Sequence, residues 1–137
     1  MSEPLGATTV WPRQGEIWLV SLGAGRPGEP GKNRPSVVVS HDSLLTGSPY
    51  DLISVVPLSA SRRPQRLRPA IPTDHGIERP CVAVCDAVRA VVPSRFLQRI
   101  GSLDPVVFAA VMEARHLIET YDDPDDWTGA IIREQIR

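Results

Sequence analysis

The chain has 137 residues and a formal net charge of −1, with 42% hydrophobic, 23% charged and 5% aromatic residues. That length suits one domain with a real core rather than two, the composition excludes wholesale disorder, and the scarcity of aromatics excludes a broad base-stacking surface. The charge is uneven: residues 1–100 hold 12 Lys and Arg against 8 Asp and Glu, and residues 101–137 hold 3 against 8, so a near-neutral total conceals a basic body and an acidic end.

Residues 1–12 read as a flexible arm. Glu3 and the lack of an apolar stretch of about 7–15 residues speak against a secretory leader, and the longest apolar runs are far short of the roughly 20 residues that span a bilayer. The expectation is a cytoplasmic protein with no membrane contact. Residues 14–22, QGEIWLVSL, predict a strand. The following tract, 23–35, holds four glycines and three prolines and predicts a long loop. A second strand is expected at 35–41, PSVVVSH, and a third at 51–58, DLISVVPL, stopping where Pro57 lacks a ladder donor. Residues 66–73, RLRPAIPT, predict an edge strand, and 81–92 one or two more, giving five or six in all. In VPSRFLQRIG, Ser94 and Gly101 bracket a predicted short helix. Asp104 with Pro105 then starts a long helix whose stripe Val107, Ala110, Val111, Ala114, Leu117, Ile118 and Tyr121 covers a sheet. Strands followed by helices make the fold class α+β. The domain spans 13–121, and 122–137 is an acidic linker with a short amphipathic appendage.

The chemistry-bearing residues gather around the loop. Arg34 stands at its fixed end, where Pro35 holds it extended and the valine run anchors it, so a planar five-donor fork is offered to a phosphate; a solvated arginine pairing with Glu29 or Asp42 is the alternative. Glu29 gains interest as a proton acceptor only beside such an arginine. Arg62, Arg63, Arg66 and Arg68 within 59–68 suit either a nucleic-acid backbone or a solvated edge. Ser59 ends a strand beside them, as a site hydroxyl or a turn cap. Cys81 and Cys85 read as two reduced core thiols, and His41, His75 and His116 have no ligand spacing, so neither metal nor cofactor is expected.

Four tracts, RQGEIWLVSL (13–22), PGEPGKNRPSVVVS (27–40), SVVPLS (54–59) and VAVCDAVRAVVPSRFLQRIGSL (82–103), together resemble the MazF/PemK endoribonuclease toxins of type II toxin–antitoxin systems. The resemblance covers about residues 13–120 and implies a compact SH3-like β-barrel, as in MazF, CcdB and Kid, with a long C-terminal helix. It also implies a homodimer that cuts single-stranded RNA without metal to 2′,3′-cyclic phosphate and 5′-hydroxyl ends and is held by a cognate antitoxin. By resemblance the active arginine falls on Arg34, the active-site threonine on Ser59 and the loop glutamate on Glu29. Arg89 matches a further arginine near the dimer-facing groove, and Lys32 joins the loop arginines in RNA binding. Serine in place of threonine keeps the hydroxyl and loses the rotamer-restricting methyl. That departure leaves open a catalytically degenerate toxin, and the shared barrel leaves open a CcdB-like gyrase-binding toxin.

Overall fold

Val37, Val38 and Val39 are all buried although side chains alternate along a strand, which requires a sheet covered on both faces. Neighbours in sequence accordingly enter different cores. Ile17, Val37 and Val56 join one cluster with Leu58, Ile71, Ala83, Val111 and Ala114. Trp18, Val38 and Val55 join the other with Val20, Ile53, Val91 and Phe96.

The computed structural model describes residues 11–24, 27 and 32–120. Its described strands are β1 (Glu16–Ser21), β2 (Asn33–Val38), β3 (Ile53–Ser59), β4 (Ala70–Ile71), β5 (Cys81–Ala83), β6 (Arg89–Val91) and β7 (Phe96–Ser102), followed by helix α1 (Pro105–Thr120). The sheet order is β4-β5-β3-β2-β1-β7, with β6 also on β3, and every pairing is antiparallel. Two register shifts between β1 and β7 raise the local twist and help curl the sheet into a half-barrel. In the second of these clusters Trp18 and Phe96 meet edge to face, with ring centroids 5.8 Å apart. Helix α1 covers the other face, with Val111 and Ala114 buried. Asp104 caps it through an Oδ1 contact of 2.9 Å from the Val107 N–H, and Pro105 takes the first position. Among the described residues no helix is long and apolar enough to cross a membrane.

Several expectations change. The short helix predicted between Ser94 and Gly101 is instead a 3-10 turn, Pro93–Arg95, leading into β7. Here a tertiary demand overrides local capping signals: β7 pairs the outer edge of β1 from Glu16 to Val20, which would otherwise leave a row of ladder groups unmet. The expected stop at Pro57 does not occur, because β3 continues to Ser59. Pro57 falls between the β3 residues paired with β6 and those paired with β5, so its missing donor costs no ladder bond, while its carbonyl accepts from the Val84 N–H at 2.9 Å. The predicted edge strand contracts to Ala70–Ile71, bracketed by Pro69 and Pro72. On α1, Ala110 is exposed and Phe108 and Met112 pack against the core instead. The arm through residue 10 and the acidic linker with its appendage, 122–137, lie outside the described residues.

Candidate functional site

The Gly/Pro loop is closed at its root by backbone bonds. Leu22 N–H donates to the Lys32 carbonyl at 2.8 Å, and Lys32 N–H returns to the Gly23 carbonyl. Lys32 itself takes a left-handed conformation, φ 60°, a region that non-glycine residues seldom occupy. Two arginines from distant elements bind the same root: Arg89 Nη1 donates to the Leu22 carbonyl at 2.9 Å and Arg95 Nη1 to the Ser21 carbonyl at 3.2 Å. Glu29 lies outside the described residues.

Arg34 belongs to β2, opposite Val20 of β1. The β2–β3 ladder runs from Val38 opposite Val55 to Ser36 opposite Pro57, so Arg34 and Ser59 each stand two residues beyond its last pair, where Ser59 is paired with Val82 of β5. Ser59 is 3% exposed. Its Oγ lies 3.2 Å from Ser61 Oγ, which relays the hydroxyl pair to an exposed position.

A cleft of about 580 Å³, within the size range of ordinary ligand sites, includes Arg34 in its lining. Leu19, Pro35, Leu58, Ile77 and Ile100 supply its apolar surface, and Lys32, Asn33, Arg34, Glu78, Arg79, Gln98 and Arg99 its polar one. Arg99 is already engaged, with Nε 2.6 Å from Glu16 Oε2. Leu58 and Ala60 line the cleft, so alternation turns Ser59 between them to the opposite face of β3. Arg34 lines the cleft between Asn33 and Pro35, whereas neither Ser59 nor Ser61 does.

The basic loop is less open than its prolines suggest. Gln65 and Arg68 exchange two backbone bonds, at 3.1 and 3.0 Å, and Arg68 makes a two-pronged contact with Asp86, 3.1 and 2.8 Å. That pairing raises the Arg68 pKa, chiefly through the side-chain bond, and lowers that of Asp86 for the same reason. Arg63 and Arg66 are exposed and Arg62 half-buried. Among the described residues no cluster of three His, Cys, Asp or Glu stands where it would hold a metal. Cys85 is buried, its thiol pushed up to about 11 chiefly by desolvation. Cys81 is free and half-buried, packs against the core and also lines the cleft.

Residues 13–118 match the family model of the PemK-like, MazF-like toxin of type II toxin–antitoxin systems. The chain belongs to that family. It is 33% identical over 112 residues to endoribonuclease MazF9 of Mycobacterium tuberculosis, covering 77% of this chain and 93% of the relative. Its fold is similar to that of MazF from Deinococcus radiodurans, with a TM-score of 0.68 at 18% identity over 80% of this chain and 97% of that one. It is also similar to a mycobacterial endoribonuclease solved with its cognate antitoxin, with a TM-score of 0.65 at 16% identity over 82% and 99%. Within the PemK/MazF-like chain, sequence reasoning missed Arg95, Glu78, Arg79, Gln98 and Arg99 as neighbours of the loop root or cleft. Their shared location arises from pairing across the sheet and from the turn before β5, neither of which leaves a local signature.

Proposed function

We propose that this PemK/MazF-like chain is a toxin that cuts single-stranded RNA in the cytoplasm by metal-independent transesterification, acts as a homodimer and is silenced by a cognate antitoxin. The observation that carries the proposal is Arg34, lining one cleft together with Lys32 and Arg79. In the reaction the substrate's 2′-oxygen bonds to the adjacent phosphorus and the bond to the 5′-oxygen breaks. The 2′ proton leaves to a base and the departing oxygen takes one up. Arg34, protonated at ordinary pH, stabilises charge on the equatorial oxygens and helps protonate the departing oxygen. Ser59, through its pair with Ser61, holds the phosphate, and Glu29 is assigned the 2′ proton. The named endoribonuclease relative and the antitoxin-bound structural neighbour support this reading.

Purified protein is expected to cut an unstructured RNA and to spare the same sequence in a duplex. Intact RNA together with stalled gyrase would favour a gyrase-binding toxin, and intact RNA alone a degenerate one. Within the basic loop, Arg66→Ala is expected to weaken RNA binding uniformly across sequences and lower the salt slope by about one unit. Arg68→Ala is expected to change the slope less and instead cost about 0.5–1 kcal/mol of stability through loss of the Asp86 pair. Filter binding across a salt series and urea unfolding check both, and equal slope changes would contradict the assignment.

A further inference from the structure

The proposed chemistry leaves His75 unused, yet this ring is 7% exposed and flanked by carboxylates. It ends the 3-10 turn Thr73–His75 that precedes β5. Nε2 lies 3.0 Å from Asp104 Oδ2. Nδ1 lies 2.8 Å from Asp74 Oδ1 and 3.2 Å from the Pro72 carbonyl. Both ring nitrogens therefore face acceptors only, and a neutral imidazole has a proton for just one of them. The other oxygen of Asp104 caps α1, so a single carboxylate ties the turn to the start of the helix.

The turn is also pressed against β7. A Cβ on Gly76 would meet the Ile100 carbonyl oxygen at 2.7 Å, and one on Gly101 would meet the His75 carbonyl. Backbone packed this closely has little room to slide unless the turn itself shifts. The chain leaving His75 then supplies Gly76, Ile77, Glu78 and Arg79 to one wall of the cleft, while Gln98, Arg99 and Ile100 of β7 also line it.

We propose that His75, in its imidazolium form, is a positioning residue that clamps the 76–79 wall between α1 and β7 and so holds Glu78 and Arg79 in register to receive RNA. This rests on the reading of the cleft as an RNA contact. Asp74 and the Pro72 carbonyl face the ring from its own turn, Asp104 from α1, and β7 contributes backbone at Ile100 and Gly101. Burial pulls the ring's pKa down, but Asp104, the Pro72 carbonyl and Asp74 together leave it above the ordinary 6.5. A raised pKa means the clamp is fully set below the unfolded value and released as pH rises through the folded one.

The test compares the full-length wild type with His75→Gln and Asp104→Asn, measuring KM and kcat on a short single-stranded RNA between pH 5.5 and 8.5. Asparagine still caps a helix, so Asp104→Asn removes the charge and keeps the cap. Wild-type KM is expected to rise with pH as the imidazolium is lost. Both variants are expected to raise KM about tenfold at pH 6 and to flatten its pH dependence, with kcat changed less than about twofold. A second readout needs no catalysis: iodoacetamide labelling of Cys81, in the same cleft, is expected to be faster in the variants than in the wild type at equal pH, with Cys85 unlabelled. Folded variants with wild-type KM, pH profile and Cys81 labelling would overturn the proposal. If His75→Gln does not fold, Asp104→Asn decides alone. If the wild type cuts no RNA at any pH, the endoribonuclease reading fails, and labelling still decides whether the clamp exists.

Discussion

Arg34→Ala is expected to lower single-turnover RNA cleavage by about 10²–10³-fold, the usual loss when one preorganised donor to a developing oxyanion is removed. The residue sits on β2 with its backbone paired to β1, so truncation beyond Cβ leaves the ladder intact, and the circular dichroism spectrum is expected to be unchanged. Arg34→Lys is expected to recover only part of the rate, since an ammonium restores charge without the planar fork that meets two phosphate oxygens. His41→Ala is the informative contrast: His41 is exposed and its Nδ1 accepts from the Ser43 N–H at 3.1 Å in its own turn, so cleavage is expected to stay within about twofold of wild type. Wild-type cleavage by Arg34→Ala would remove the guanidinium from the mechanism.

Gly101→Ala is expected to destabilise the fold by about 3 kcal/mol, read as a fall in the urea midpoint with an unchanged slope. The added methyl would press on the His75 carbonyl oxygen and approach its carbon to 3.2 Å, and both are backbone atoms that cannot rotate away as a side chain would. Relief requires shifting the turn that carries His75, which strains the contact to Asp104 as well. Ser102→Ala, next along β7, removes an acceptor for Arg99 Nη2 at 2.8 Å on an exposed surface and is expected to cost about 0.5 kcal/mol or less. Equal costs for the two substitutions would show that the close backbone approach carries no strain.

Legibility followed the range of the interaction. The valine run was readable because burial on both faces of a sheet writes itself into consecutive residues, and Asp104 with Pro105 was readable because a cap acts within one turn. The stretch from Pro93 to Gly101 was misread for the complementary reason: Ser94 and Gly101 carry local helix signals, while the need of β1 for a partner lies some eighty residues away in the chain. Gly101 illustrates the difference, since its missing Cβ serves a tertiary contact rather than a helix end. Arg34 and Ser59, the residues proposed for the site, were read from their positions near strand termini and from family resemblance. Arg68 drew attention by the density of its neighbours, but Asp86, eighteen residues on, engages it. Arg95 and the Glu78–Arg79 pair passed unnoticed because only the folded sheet and the turn before β5 bring them to the loop root and the cleft. His75 was visible as a residue of a turn, and its two carboxylate neighbours were not.

In the proposed reaction the Arg34 guanidinium, carried on β2, and the Ser59 hydroxyl act together on a phosphate attacked by the substrate's own 2′-oxygen. Its most direct test is the chemistry of the ends left when wild-type protein cuts a defined single-stranded RNA in excess EDTA. Undiminished cleavage is expected, with 2′,3′-cyclic phosphate on one fragment and a 5′-hydroxyl on the other. Fragments ending in 3′-hydroxyl and 5′-phosphate, or cleavage that EDTA abolishes, would contradict it.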